Sequence, residues 1–106
     1  MSETTEIIDC FGNRVRLTKE RRAHILEHPE MSGMAAQIEA VLRGPQLVRR
    51  SRSDSAVRLF YRYYVQTAVG GKWLCVVVKY AAGDAFIVTG YLTDKPKSGE
   101  DLWPTK

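Results

Sequence analysis

The chain is poor in the side chains that most often hold metals or act as covalent catalysts: it has two cysteines and two histidines. Cys10 and Cys75 can make one disulfide at most. Residues 1–6 show no charged start followed by an apolar signal core, so the expected state is two reduced thiols in a cytoplasmic protein. No apolar run reaches the roughly 20 residues a membrane helix needs, and no membrane partner is expected. A Gly-x-Ser-x-Gly nucleophile elbow is absent, and Cys75 sits in an apolar run as buried filler does. Gly70-Gly71 stands alone, which suits a hairpin connection better than a phosphate-cradling loop. There is no internal repeat and no low-complexity segment. No cofactor is expected.

What the chain does have is basic charge and a sheet-forming C-terminal half. Its 106 residues suit a single domain, 1–106. The formal net charge is +4, a modest excess that fits a polyanionic partner such as RNA. Its distribution is uneven. Arg43, Arg49, Arg50, Arg52, Arg58 and Arg62 fall in one short stretch, and Lys19, Arg21 and Arg22 open a helical segment. Arginine is favoured where phosphate is held bidentately, although a basic run is equally a solvated surface.

Hydrophobic periodicity and turn residues give an order of elements. Residues 6–10 read as a strand, Gly12-Asn13 as a turn, and Val15 and Leu17, alternating with Arg14 and Arg16, as the second arm of a hairpin. Thr18 is an N-cap for a helix that runs to about His28, where Pro29 ends it. A second helix spans about 33–43, with Met34, Ile38, Val41 and Leu42 on its apolar face, and Gly44-Pro45 stops it. Strands follow at 46–51, 56–65, 73–82 and 85–93. The third of these is apolar on both faces, as a central strand is. The expected fold is α+β: two N-terminal helices packed on one face of a mainly four-stranded antiparallel sheet, in ββααββββ order. Residues 95–106 read as a polar tail.

Two groups of residues carry candidate chemistry. His24 and His28 lie four apart on the first helix, with Arg21 three before His24. On a helical wheel the three span roughly 60°, beside the apolar Ile25. Histidines at this spacing also suggest a metal pair, but no glutamate directly follows the first one and no third ligand is adjacent in sequence. No metal is therefore expected, with Cys10 and Cys75 the remaining ligands by proximity in space. The second group is Lys79, Thr89 and Tyr91, polar residues inside otherwise apolar strands. A lysine there needs water or an anion for its ammonium, and hydroxyls on one sheet face can bind phosphate or a 2′-hydroxyl. Whether Lys79 and Thr89 share a face depends on the loop near Gly83-Asp84: two residues would separate them and three would unite them.

Arg21-x-x-His24-Ile25-Leu26-x-His28-Pro29-Glu30, a helix ending in Leu42-x-x-Pro45, then Val76-Val77-Val78-Lys79 and Phe86-Ile87-Val88-Thr89-Gly90-Tyr91 resemble the small barnase–EndoU–colicin–RelE-like nuclease domains of phage and toxin contexts. The resemblance runs from about Val15 to Trp103. It implies a metal-independent endoribonuclease, toxin-like, that cleaves RNA by attack of the neighbouring 2′-hydroxyl. It implies RNA as substrate and a cognate antitoxin or immunity protein as partner. The positions that carry over as catalytic are His24, His28, Lys79, Thr89 and Tyr91. The chemistry needs a base, an acid and cations for the charge on phosphorus. Arg21, Arg58 and Arg62 are expected to hold phosphate, and Tyr61 to stack on an extruded base. Arg21 favours a neutral His24 as base, and the negative helix end favours a protonated His28 as acid. The alternative is a non-catalytic RNA- or protein-binding domain on the same fold.

Overall fold

The structure is a computed structural model and describes residues 4–104. The first three residues of the 1–6 segment and the last two of the expected tail lie outside them. β1 (Thr4–Ile8) and β2 (Arg14–Thr18) form an antiparallel hairpin. Its connection is organised by Asp9, whose carboxylate accepts from the Phe11 and Asn13 N–H groups at 2.9 and 2.8 Å. An aspartate side chain mimics a backbone turn in this way. Asp9 is only 4% exposed, and the Tyr80 hydroxyl donates to its other oxygen at 2.5 Å.

Thr18 caps α1 (Lys19–Leu26) by accepting from the Arg21 N–H at 3.1 Å. The helix stops at Leu26 and does not run to His28. Pro29 crowds the residue before it, and His28 is extended, with φ −70° and ψ 125°. A 3-10 turn (Pro29–Met31) then leads to α2 (Ala35–Arg43). Ile38, Val41 and Leu42 of α2 are fully buried and Met34, its cap, nearly so. Each such apolar side chain contributes about 1.5–3 kcal/mol through burial.

The remaining chain is strand: β3 (Leu47–Arg50), β4 (Val57–Tyr64), β5 (Lys72–Ala81), β6 (Asp84–Thr93) and β7 (Glu100–Trp103). All join one seven-stranded sheet in the order β1-β2-β6-β5-β4-β3-β7. Neighbours are antiparallel except β2 and β6, which pair in parallel at Arg16 and Phe86. The expected mainly four-stranded antiparallel sheet in ββααββββ order is thus corrected to a larger, mixed one. Both additions carry cross-strand ion pairs, and in β7 Leu102 and Trp103 also pack against the core. Arg16 meets Asp84 at 2.6 Å and joins the hairpin to β6. Arg49 meets Asp101 at 2.8 Å and Arg50 meets Glu100 at 2.9 Å, which draws part of the expected polar tail into β7.

The apolar β5 lies in the middle of the sheet. Leu74, Val76 and Val78 of β5, with Phe60 and Ile87, pack under Ile25 of α1 and Ile38, Val41 and Leu42 of α2. Both helices therefore cover the same face. On the opposite face a smaller cluster of Leu59, Tyr61 and Cys75 is flanked by Leu47, Val57, Trp73, Val77 and Tyr91. Among the described residues, no helix covers that face.

Candidate functional site

The open face carries a cleft of about 620 Å³. Its floor is Val57, Leu59 and Val77, continued by Thr89 and Tyr91. One end is the loop after β3, residues 51–54, and the other is residues 97–98. A cleft with an aliphatic floor and a polar rim is the usual form of a ligand site.

Thr89 reaches this face because of a β-bulge. The turn between β5 and β6 is the two-residue loop Ala82-Gly83, both with positive φ, at 51° and 77°. Lys79 accordingly pairs with Phe86. In a regular strand Thr89 would then point to the helices. The register shifts instead: Val78 pairs with Ile87, but Val77 pairs with Thr89. Val88 is the extra residue, and beyond it every side chain changes face. Lys79, Thr89 and Tyr91 therefore share the open face, despite a two-residue loop.

At the loop end, Lys79 Nζ lies 3.2 Å from Asp54 Oδ2. The Ala56 N–H donates to the same carboxylate at 3.0 Å. These two interactions, the backbone one foremost, hold the Asp54 carboxyl below the ordinary aspartate value. Asp54 stays ionised and accepting at neutral pH. Ser51, Arg52 and Ser53 line the same end.

At the other end, Tyr61, Cys75 and Tyr91 form one row across β4, β5 and β6. The Cys75 thiol lies between the two tyrosines, and burial pushes it up to about 11. It is a protonated, buried thiol, in keeping with filler and not with a nucleophile. Burial also raises Tyr91, foremost among its causes, so its hydroxyl stays protonated at neutral pH. Lys97 Nζ lies 6.0 Å from the Tyr91 ring centroid. Lys79 and Cys75 are four residues apart on β5, so the two ends lie about 13 Å apart along the strand.

The other expected site residues lie elsewhere. α1 packs on the helix-bearing face, and neither histidine lines the cleft. The His24 and His28 side chains are 63% and 61% exposed. Their rings meet edge to face at 6.3 Å. Each faces a carboxylate: Glu27 at 3.4 Å from His24 and Glu30 at 3.8 Å from His28. Arg21 borders only a shallow depression with Thr18, Glu20 and His24. Two expected phosphate ligands have structural tasks on the helix side. The Arg58 guanidinium is stacked between the Phe11 and Tyr80 rings, 4.8 and 4.4 Å from their centroids. Arg62 donates to the Gly44 carbonyl at 2.6 Å and closes the end of α2. Tyr61 is 0% exposed and has no ring face to offer a base.

Asp54, Arg52 and Lys97 line the cleft without having been singled out by spacing. All three stand in loops, where periodicity is silent. The available signal was chemical: Asp54 and Arg52 alternate with serines in Ser51-Arg52-Ser53-Asp54, a polar run between two strands.

Both cysteines are free. Among the described residues, no three His, Cys, Asp or Glu side chains converge as a metal-binding group. Among the same residues, no helix is long and apolar enough to cross a membrane. No protein-family model matches the chain, and no curated protein or solved structure matches it significantly.

Proposed function

We propose that the chain is a toxin-like endoribonuclease that works without metal, and that RNA is bound and cut in the open-face cleft. The observation that carries this reading is a concave open face lined by Asp54, Arg52, Thr89, Tyr91 and Lys97, with Lys79 at hydrogen-bond distance from Asp54 at its loop end. Cleavage by the 2′-hydroxyl needs a base beside a cation. Asp54 is the ionised carboxylate of the cleft and takes the 2′-hydroxyl proton; the O2′–P bond forms as the P–O5′ bond breaks, and the leaving 5′-oxygen takes a proton from solvent water. Lys79, at hydrogen-bond distance from it, faces the charge that grows on the phosphate. Thr89 donates a hydrogen bond to the phosphate at the loop end, and the protonated Tyr91, at the far end, donates to a flanking phosphate. Arg52 and Lys97 neutralise the flanking phosphates, and the aliphatic floor takes sugar and base edges. The histidines of α1 stand outside this centre. A cognate antitoxin or immunity protein, the partner class the resemblance implies, would inhibit by filling the cleft with acidic side chains.

The test is incubation of the purified chain with single-stranded RNA in EDTA, with product ends analysed for 2′,3′-cyclic phosphate. The expected result is cyclic ends with wild type and with His24→Ala, and loss of cutting with Asp54→Asn. If wild type binds RNA and cuts none under any condition, the non-catalytic RNA-binding reading replaces the enzymatic one. If His24→Ala alone abolishes cutting, the reaction belongs to α1 and not to the cleft.

A further inference from the structure

We infer that Tyr61 and Arg49 are positioning residues that hold Lys97 in the cleft by gripping both polar groups of its backbone. This rests on the reading of the cleft as an RNA site. Residues 94–99 cross the open face between β6 and β7 as a strap. Nothing in their composition fixes their path, since Lys95-Pro96-Lys97-Ser98-Gly99 has no apolar anchor. Polar contacts fix it instead. The Lys97 N–H donates to the Tyr61 hydroxyl at 3.1 Å. The Lys97 carbonyl accepts from Arg49 Nη1 at 2.8 Å. Arg49 also donates through Nε to Asp101 of β7 at 2.8 Å, so one guanidinium ties the strap to the strand that follows it.

The remaining geometry serves the same end. A Cβ on Gly99 would lie 2.5 Å from the Arg50 carbonyl oxygen, so only glycine allows the strap to lie this close to β3. The Lys72–Asp94 ion pair anchors its start. Tyr61 is suited to its part. Burial pushes its hydroxyl up to about 12, so it stays neutral, and its ring packs edge to face with Trp73 at 6.4 Å. It offers a rigid acceptor from the floor of the sheet. With its backbone fixed at both the N–H and the carbonyl, Lys97 has only its side chain left to order when phosphate binds. A preorganised ligand group gains affinity in this way.

The test uses the full chain, Tyr61→Phe, Lys97→Met and the double variant. Tyr61→Phe removes the hydroxyl and keeps the ring. Two readouts are taken: amide exchange at Lys97, and affinity for a non-cleavable 2′-O-methyl RNA oligonucleotide across a salt series. Tyr61→Phe is expected to speed Lys97 exchange about fivefold to tenfold, the loss of one hydrogen bond. It is expected to weaken RNA binding severalfold and to lower the salt slope by about one, as Lys97→Met does. In the Lys97→Met background it should weaken binding no further. Arg49→Met reads the carbonyl grip and should give the same pattern. If wild type binds RNA but Tyr61→Phe leaves affinity unchanged, or lowers it equally with Lys97→Met already present, the positioning role is overturned. A wild type with no affinity for the RNA overturns the cleft reading itself, a pattern unlike either of these.

Discussion

Lys79 and Thr89 project from the same face of the sheet because β6 carries one residue more than β5 between them. Val88 has no partner of its own where Val77 meets Thr89 and Val78 meets Ile87. A bulge re-aims a strand at modest cost and recurs next to functional sites. Here it turns Thr89 and Tyr91 to the face that Lys79 occupies, which a regular hairpin would not have done. Lys79→Met should therefore lower kcat/KM for RNA cleavage about 10²–10³-fold, the scale of losing one preorganised charge-stabilising group. Thr89→Val, nearly isosteric, should cost about tenfold, and both should melt near wild type. Single-turnover cleavage alongside thermal melting checks this; full activity in Lys79→Met would remove it from the reaction.

The pH dependence separates the cleft from the histidines. The Asp54 carboxyl lies below its ordinary value, chiefly through the Ala56 N–H and then through Lys79. A base with a depressed pKa is ionised above that value and is lost only as pH falls through it. The kcat/KM profile should therefore stay level as pH falls through about 6.5, where an unperturbed histidine titrates. It should decline only below about 4. A limb near 6.5 that vanishes in His24→Ala would return the reaction to α1.

The sequence was legible where a signal is local. The second helix needs only the spacing of Met34, Ile38, Val41 and Leu42, and all four are buried. The alternation in β4 is equally local: Leu59 and Tyr61 belong to the open-face cluster and Phe60 to the helix-side core. What stayed hidden depends on distant partners. β7 is short, and its place beside β3 depends on Arg49 and Arg50, about 50 residues away, and on the core that receives Leu102 and Trp103. The parallel pairing of β2 with β6 rests on a single residue pair. The site was half legible for the same reason. Lys79, Thr89 and Tyr91 stand out as polar residues in apolar strands. Their shared face follows from the bulge, which no period-2 reading contains. Arg58 and Arg62 look like phosphate ligands by residue type, and only the packing shows that aromatic rings and a helix end already occupy them.

Arg58 should accordingly act on stability and not on RNA. Its guanidinium lies between two rings on the helix side, where cation–π contacts and packing of the stem each contribute. Arg58→Ala should lose about 1–2 kcal/mol and lower Tm by several degrees for a domain of this size. RNA affinity at fixed salt should stay within about twofold of wild type. A melting curve and a binding isotherm on the same preparation decide it, and a variant that melts normally but binds RNA much more weakly would restore Arg58 to the interface.

The β5–β6 turn holds a correctable strain. Ala82 has φ 51° and Gly83 φ 77°, the backbone of a two-residue hairpin turn in which both residues are left-handed. Glycine adopts that region freely, but a Cβ there costs about 1–2 kcal/mol. Asparagine tolerates it better than alanine and adds less unfolded-state entropy than glycine. Ala82→Asn should therefore stabilise the domain by about 0.5–1 kcal/mol. Ala82→Val, β-branched, should destabilise it by more than about 1 kcal/mol. The turn lies beyond the row of Lys79 and Phe86 and does not line the cleft. RNA cleavage by Ala82→Asn should thus match wild type at a temperature where both are folded. Denaturant melts read the stability change, and an Ala82→Asn variant less stable than wild type would show that the turn is not relaxed by this exchange.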